Sequence, residues 1–237
     1  MSARQQDIYK LVEYPDSDGE PVAETQKHAE LMMDLCFMLQ RRYQAAPDVF
    51  VGLDNLMYWV KGDPTKSKAP DVYAVFGVSK EPPRRTWQTW VEGKAPDVIF
   101  EISSRKTWRD DLYDKWQLYA RLGVREYFIF DPEYDYLPEP LMAWRLSDDG
   151  QYFPIPLIEG CVQSDVLGLE LCDTGATLRL HDLQTGELLL TALEESAARE
   201  AAEVRTAAAE VRTAQAEARA ERLAAQLRAL GLTPDAG

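Results

Sequence analysis

The sequence predicts an α/β fold in which helices flank a mixed central sheet, followed by one long C-terminal helix. Segments with apolar residues at helical spacing alternate with short runs rich in β-branched and aromatic residues, which is typical of helices packed on a sheet. The order along the chain is one helix, three strands, a second helix and a fourth strand. From residue 193 to residue 230 the chain contains neither glycine nor proline, which favours an uninterrupted helix.

The first predicted helix spans residues 25–44. Its residues Leu31, Leu35 and Met38 recur at helical spacing and predict one core-facing stripe. Pro47 follows the helix and marks its end. Three strands are then predicted, at residues 49–60, 72–78 and 98–102.

The second predicted helix spans residues 108–122 and ends at Gly123, where a left-handed cap is expected. Residues 126–130 predict the next strand, because they combine β-branched and aromatic side chains. From residue 143 to residue 190 short strand-like runs alternate with turns. We interpret these runs as hairpins that extend or flank the core sheet.

A change in composition near residue 190 sets the predicted domain boundary, with a core domain at 1–190 and a helical tail at 191–237. The heptad AAEVRTA occupies residues 201–207 and again 208–214, a repeat that is typical of coiled coils. Alanine-rich contacts bury little surface, so a lone helix and a weak coiled coil both fit the pattern. We expect the tail to be an oligomerisation or partner helix, or else an exposed extension.

Composition and charge limit the classes of function. The 237-residue chain has no apolar run long enough to span a bilayer, and its start lacks the apolar stretch of a secretory signal. We therefore expect a cytoplasmic protein without a membrane partner. The net charge of −14 lacks the basic excess of a phosphate-backbone binder. Nucleic-acid binding would depend on a local basic cluster, or on metal ions that offset a carboxylate-rich cleft.

The cysteines predict neither a disulfide nor a zinc site. Cys36, Cys161 and Cys172 are scattered, odd in number and without the spacing of metal ligands. This pattern favours reduced, mostly buried thiols.

Two identical pentapeptides, Lys-Ala-Pro-Asp-Val, occupy residues 68–72 and 94–98, and each precedes a predicted strand. The second strand contains Glu101, a carboxylate whose burial without a partner would be costly. If the two strands are antiparallel neighbours, Asp71 lies beside Glu101. Asp97 then lies about 13 Å from Glu101 along its strand, too far to share an ion. A parallel arrangement would reverse this assignment.

An aspartate and a glutamate on adjacent strands resemble the PD-(D/E)XK nuclease superfamily, in which Pro-Asp opens one core strand and Glu-X-Lys lies on the next. The run PDVIFEISSRKTWRDDLYDKWQLYARLGVREYFIFDP, at residues 96–132, more closely resembles the bacterial Uma2 (Uma-two) family of restriction endonucleases. The resemblance covers residues 7–190 and not the tail. It implies a restriction-endonuclease-like core and an endonuclease that uses Mg²⁺, or Mn²⁺ instead, on nucleic acid, with DNA as the expected substrate.

One position departs from the superfamily pattern. The lysine expected two residues after Glu101 is Ser103. The resemblance implies a relocated lysine on the following helix, which Lys115 matches, with Lys106 in the loop as a weaker alternative. The implied catalytic residues are Asp71, Glu101 and Lys115. The implied metal ligands are Asp71, Glu101 and the backbone carbonyl of Ile102.

Four further residues are candidates for supporting roles: Glu24, His28, Ser103 and Tyr119. Tyr119 follows Lys115 by four residues and therefore shares its helix face. Glu24 or His28, near the start of the first helix, could add a ligand or hold a water. Their structural alternatives are helix capping for Glu24 and a surface imidazole for His28.

Two hypotheses from different classes remain. The first is a Mg²⁺-dependent endonuclease in which Lys115 positions a metal-activated water for attack on phosphorus. The second is a catalytically inactive nuclease-fold protein that acts as a binding or oligomerisation module, with a homo-oligomer formed through the tail. The hypotheses differ in whether Asp71, Glu101 and Lys115 converge.

Overall fold

A computed structural model describes residues 12–17, 19 and 23–230 of the chain. The chain divides into two units, the first ending at Thr191 and the second beginning at Ala192. The helices are α1 (Gln26–Arg42), α2 (Thr89–Glu92), α3 (Trp116–Leu122) and α4 (Ala192–Ala229), and a π-helical segment (Asp110–Lys115) precedes α3. The strands are β1 (Val49–Leu53), β2 (Met57–Tyr58), β3 (Ser67–Lys68), β4 (Val72–Phe76), β5 (Trp87–Gln88), β6 (Val98–Ile102), β7 (Glu126–Phe130), β8 (Leu141–Leu146), β9 (Tyr152–Pro154), β10 (Cys161–Ser164), β11 (Leu169–Asp173) and β12 (Leu178–Asp182).

Six strands form the central sheet, in the order β1, β4, β6, β7, β8, β9. The pair β6 and β7 is parallel, and every other neighbouring pair is antiparallel. Parallel neighbours need a crossover connection, and here the π-helical segment and α3 supply it. The mixed α/β fold predicted from the sequence is confirmed.

Different elements cover the two faces of this sheet, because alternate strand residues point to opposite sides. On one face, Val72 and Phe100 belong to a cluster formed with α1 and the leucines of β11 and β12. On the other face, Tyr73 and Ile99 belong to a cluster that includes Trp87 and residues of α3. The start of β4 and the end of β6 lie between these two layers.

The first helix forms close to its predicted position. The Thr25 side chain caps it by accepting a hydrogen bond from the backbone N–H of His28 at 3.1 Å. Leu31, Leu35 and Met38 are buried on one side, as the periodicity predicted. At the end of α3, Gly123 adopts a φ of +82°, which confirms the predicted left-handed cap.

Residues 49–60 form two strands instead of the one predicted. β1 belongs to the central sheet, whereas β2 pairs with β3 and β5 in a separate three-stranded sheet. Asp54, between them, has a φ of +49°. A left-handed residue cannot continue an extended strand, and this conformation separates the two.

The second predicted helix is not α-helical throughout. Residues 110–115 form a π-helical segment in which only Asp111 and Lys115 are buried. A π-helical turn contains an extra residue and often occurs at functional sites. Helical periodicity in the sequence does not distinguish it from an ordinary α-helical turn.

The last strands of the first unit fulfil both parts of the hairpin prediction. β8 and β9 extend the central sheet, whereas β10, β11 and β12 form a sheet of their own. Cys161 and Cys172 lie opposite each other on β10 and β11 and form a disulfide, so the prediction of reduced thiols is wrong for this pair. Strand pairing brings together two cysteines whose spacing along the sequence gave no indication of contact. Cys36 is free and buried.

Within the second unit the structure describes α4, with 38 residues, and the residue that follows it, and none of the side chains of α4 is buried. Among the described residues, no helix combines the length and apolar character needed to cross a membrane.

Candidate active site

The pairing of β4 with β6 determines which aspartate lies near Glu101. The two strands are antiparallel, with Val72 opposite Phe100, and one further step in this register brings Asp71 opposite Glu101. The Asp71 carboxylate accepts a hydrogen bond from the backbone N–H of Ile102 at 2.6 Å. The antiparallel arrangement considered from the sequence is therefore present, and the parallel alternative is excluded.

Glu101 is almost completely buried, with 1% of its surface exposed. Lys115 Nζ donates to its Oε2 at 2.7 Å, and the hydroxyl of Tyr119 donates to its Oε1 at 2.8 Å. Both donors come from the crossover that follows β6, four residues apart, which is the spacing that places two side chains on one helical face. Lys115 therefore supplies the positive charge beside Glu101, while the position two residues after Glu101 is the uncharged Ser103.

Asp111 is a member of this cluster that the sequence analysis missed. It is fully buried, and its Oδ1 lies 2.8 Å from Lys115 Nζ. Its Oδ2 accepts a hydrogen bond from the Ser103 hydroxyl at 2.9 Å. The segment contains three aspartates, at positions 110, 111 and 114. Only the four-residue spacing from Lys115 could have singled out Asp111.

Ser103 thus has a defined contact at the position where the superfamily pattern has lysine. Its hydroxyl holds Asp111, and Asp111 in turn holds Lys115. The hydroxyl of Tyr127 donates to the backbone carbonyl of Asp111 at 2.9 Å and fixes the same turn from the sheet side. Lys115 is therefore oriented by a chain of buried polar contacts.

The electrostatics of the cluster follow from three carboxylates around one ammonium group. Burial raises the pKa of Glu101 well above its usual range; Lys115 opposes the rise, while Asp71 and Asp111 add to it. Burial alone would lower the pKa of Lys115, but Asp111 and Glu101 raise it well above the ordinary lysine value. Nearby negative charge therefore keeps Lys115 protonated, and the site favours any further positive charge that enters it.

His28 is buried beside Asp71, which corrects the alternative that it is a surface imidazole. Only 5% of its surface is exposed, and its Nε2 lies 3.3 Å from Asp71 Oδ2. That distance fits an ion pair, but neither ring nitrogen forms a hydrogen bond of good geometry with the described residues. Burial alone would lower the pKa of His28, yet the neighbouring carboxylates, Asp71 foremost, raise it above 6.5.

Glu24 and Lys106 lie at the rim and not in the cluster. Their charged groups approach to 3.5 Å, and Lys106 is largely exposed. Glu24 does not cap α1, because Thr25 does so. Lys106, the weaker alternative for the relocated lysine, is therefore directed to Glu24 while Lys115 contacts Glu101.

A cleft of about 440 Å³ opens over these residues. Its lining includes Asp71, His28 and Lys115, and Lys68, Lys106 and Glu24 line it as well. Lys68 Nζ forms an ion pair with Asp110 at 2.7 Å. Glu101 lies beneath the lining, where Lys115 and Tyr119 cover it.

Asp97, from the second copy of the pentapeptide, lies at the opposite end of β6. Its carboxylate pairs with Lys94 at 2.6 Å and accepts the backbone N–H of Phe76 at 2.8 Å. These contacts join the end of β4 to the start of β6. Identical local sequence therefore yields a structural aspartate in one copy and a cleft-lining aspartate in the other.

The sequence matches one protein family over most of the first unit. The model of the Uma2 family, described as putative restriction endonucleases, matches residues 6–171. The protein is thus a nuclease of the restriction-endonuclease type. The chain belongs to the Uma2 family, which confirms the resemblance found in residues 96–132.

Other comparisons add little. No curated protein matches the sequence. Among solved structures, the chain is similar to a putative nuclease belonging to DUF820 from Anabaena variabilis, with 14% sequence identity and a TM-score of 0.44. That alignment covers 60% of this chain and 74% of the other chain.

Proposed function

We propose that the protein is a Mg²⁺-dependent endonuclease that hydrolyses phosphodiester bonds of nucleic acid, with DNA as the expected substrate and Mn²⁺ able to replace Mg²⁺. One observation supports this proposal above the others. Asp71, which the strand register brings opposite Glu101, lines a cleft open to a ligand together with Lys115, and Lys115 contacts Glu101 beneath that lining. Family membership supports a nucleic-acid substrate.

The residues present fit a hard divalent cation. Asp71 and Glu101 are adjacent carboxylates, and Mg²⁺ is usually held by one or two carboxylates while it keeps several waters. Burial, and after it the nearby charge of Asp71, raises the pKa of Glu101, and a bound cation would offset that negative charge. The Ile102 carbonyl is the expected third ligand. When bound, Mg²⁺ would supply an acidified water and offset negative charge on the phosphate.

Lys115 would act as a fixed, charged hydrogen-bond donor. Glu101 and Asp111 hold its ammonium group from two sides, and their charge keeps it protonated. An ammonium donor in this position orients a water or stabilises a phosphate oxygen, as preorganised donors do in phosphoryl transfer. Tyr119 would hold the second oxygen of Glu101. The backbone N–H of Ile102 would hold the carboxylate of Asp71 in its orientation.

Two lysines place local positive charge at the rim of the cleft, although the net charge of the chain is −14. Lys68 and Lys106 line the cleft, and each is paired with one carboxylate. An incoming phosphate would compete with Asp110 and Glu24 for these lysines. Binding should therefore weaken with added salt, as it does for phosphate contacts in general.

One observation favours the second hypothesis, a catalytically inactive binding module. Both carboxylate oxygens of Glu101 already accept hydrogen bonds from the protein. A purely structural ion pair would show the same contacts. The two functions differ in whether the cluster supports metal-dependent cleavage.

The deciding experiment measures cleavage of supercoiled plasmid, linear duplex, single-stranded DNA and RNA with Mg²⁺, Mn²⁺ or a chelator. Glu101→Gln preserves the side-chain volume and removes the charge, and Asp148→Asn, in an exposed turn, serves as the matched control. We expect cleavage by the wild type and by Asp148→Asn only with a divalent ion, and none by Glu101→Gln. Cleavage that persists in Glu101→Gln or in chelator would contradict the proposal. A folded wild type that binds these substrates but cuts none would support the binding module.

A further inference from the structure

The outer face of the sheet formed by β10, β11 and β12 brings together four residues whose side chains can bind a metal. Cys161 lies opposite Cys172, and Glu170 lies opposite His181. Residues at alternate positions, such as Leu171, are buried toward the core. Since side chains of one strand alternate between faces, all four groups project from the same, partly exposed side.

The separation of Cys172 and Glu170 suits two ligands of a tetrahedral ion, whereas the sulfurs of Cys161 and Cys172 are bonded to each other and would have to move apart on reduction. The sulfurs of Cys161 and Cys172 and a carboxylate oxygen of Glu170 lie within 4.8 Å of one another. Cys172 Sγ lies 3.8 Å from Glu170 Oε2. With Zn–S bonds of about 2.3 Å and Zn–O bonds of about 2.0 Å, two ligands of a tetrahedral zinc lie roughly 3.5 Å apart. The sulfur and carboxylate are already near that separation.

The surroundings favour access and orientation. A cavity of about 390 Å³ is lined by Cys161, Gln163 and Glu170, among others. The Gln163 amide donates to Glu170 Oε1 at 3.3 Å, which leaves Oε2 directed toward the cysteine. Partners of this kind orient a metal ligand from outside the coordination shell.

We propose that, when Cys161 and Cys172 are reduced, this face binds one Zn²⁺ ion through the two thiolates and Glu170, with His181 as the fourth ligand. Residues directly opposite on antiparallel strands have Cβ atoms about 5 Å apart, which places His181 beside Glu170. The ring is not among the three ligand groups that lie within 4.8 Å of one another, and it would have to turn toward the ion on binding. Thiolate and imidazole ligands select Zn²⁺ over the hard cations that carboxylates bind. This site is therefore chemically distinct from the carboxylate cleft.

The disulfide and the metal are alternative states of one pair of cysteines. A dithiol reductant donates two electrons and two protons to the Cys161–Cys172 bond, and is itself oxidised to a disulfide. The two thiols then lose their protons when Zn²⁺ binds, because the thiolate is the ligand. Either state links β10 to β11.

Co²⁺ provides a direct spectroscopic test of the site. The full-length protein is first reduced with a phosphine, which becomes a phosphine oxide with oxygen taken from water. The phosphine is then removed under anaerobic conditions, and the protein is titrated with Co²⁺ and afterwards with Zn²⁺. We expect one equivalent of Co²⁺ to give thiolate-to-cobalt charge-transfer absorption with tetrahedral visible bands, and Zn²⁺ to abolish both. The oxidised protein should give neither. Absence of charge-transfer absorption from the reduced wild type would overturn the proposal.

Matched variants locate the signal. Cys161→Ser and Cys172→Ser should each lose the charge-transfer band, whereas Cys36→Ser and the cleft variant Glu101→Gln should keep it. Glu170→Gln and His181→Asn should weaken Co²⁺ binding by at least about tenfold. A band that persists in Cys161→Ser, with the fold intact by circular dichroism, would contradict the assignment. Slower alkylation of Cys161 and Cys172 in Zn²⁺, read by mass spectrometry, is the independent check, and an unchanged rate would count against the site.

Discussion

The ammonium group of Lys115 lies between two carboxylates, Glu101 at 2.7 Å and Asp111 at 2.8 Å. Burial by itself would lower the pKa of Lys115, but the two carboxylates raise it well above its ordinary value. The lysine is therefore charged at neutral pH and able only to donate a proton or a hydrogen bond. A general base at this site would need to be another group.

Asp111 is expected to position Lys115 without touching the substrate. Replacing Asp111 by Asn removes one negative neighbour, which lowers the pKa of Lys115 and loosens the ammonium group. We expect kcat to fall by about tenfold to a hundredfold, as for other outer-shell partners. The alkaline limb of the pH–rate profile should move to lower pH, because Lys115 loses its proton earlier. An unchanged alkaline limb would contradict this role, and Ser103→Ala, which leaves the carboxylate in place, should shift the limb less.

His28 offers a readout of the site that does not depend on cleavage. Its pKa is raised above 6.5 by the Asp71 carboxylate, against the opposing effect of burial. Since the folded-state pKa is raised, the interaction stabilises the fold fully below the unfolded value and is lost as pH rises through the folded value. NMR titration of the imidazole should show a lower pKa in Asp71→Asn, and also in the wild type with Mg²⁺. Identical titration curves in all three samples would contradict the contact, and His181→Gln assigns the signals.

At the scale of elements, the pairing of β1 with β4 includes a close contact between a glycine and a tyrosine ring. Gly52 lies opposite Tyr73, and a Cβ at Gly52 would lie only 2.1 Å from the Tyr73 ring. Gly52→Ala must displace this buried ring, and we expect the free energy of unfolding to fall by about 1–3 kcal/mol, as in other overpacked cores. Chemical denaturation measures the change. In a Tyr73→Leu background the same substitution should cost less, and strictly additive effects would contradict the clash.

Helices and strands of the site could be predicted where neighbouring residues in the sequence determine them. β6 and β7 coincide with the predicted strands because both combine β-branched and aromatic side chains, and the first helix was predicted to start at residue 25, which is the N-cap of α1. The position of Asp71 beside Glu101 was predicted on the condition that the two strands are antiparallel, and the structure meets that condition. The break at Asp54 was missed, because a left-handed non-glycine residue depends on its packing and not on a recognisable turn sequence.

Other contacts between distant segments could not be predicted. The burial of His28 depends on where α1 packs across the sheet, and the helical pattern fixes only which face of α1 is apolar. The Cys161–Cys172 disulfide depends on the register of β10 and β11. Asp111 has the four-residue spacing from Lys115, but its contact with Ser103 depends on the fold. Each miss involves a polar group whose partner is supplied by tertiary structure.

At the scale of the whole molecule, α4 presents its apolar residues to solvent. Leu193, Val204 and Val211 are all exposed. Truncation after Leu190 should therefore lower the melting temperature of the core by less than about 2 °C. The homo-oligomer predicted from the heptads remains a prediction. Light scattering should show fewer chains per particle after truncation. An unchanged number of chains per particle would count against a coiled coil.

The central claim is that Asp71 and Glu101 form the catalytic metal site. The two copies of the pentapeptide provide its most direct test, since Asp71→Asn and Asp97→Asn make the same change in the same local sequence. The measurement is the rate of Mg²⁺-dependent cleavage by the two variants, with folding checked by thermal unfolding. We predict that Asp71→Asn stays folded and loses cleavage by about a hundredfold or more. Asp97→Asn should keep cleavage near the wild-type rate but lose about 1–3 kcal/mol of stability with its Lys94 and Phe76 contacts. Wild-type cleavage by Asp71→Asn, or loss of cleavage by a folded Asp97→Asn, would contradict the account.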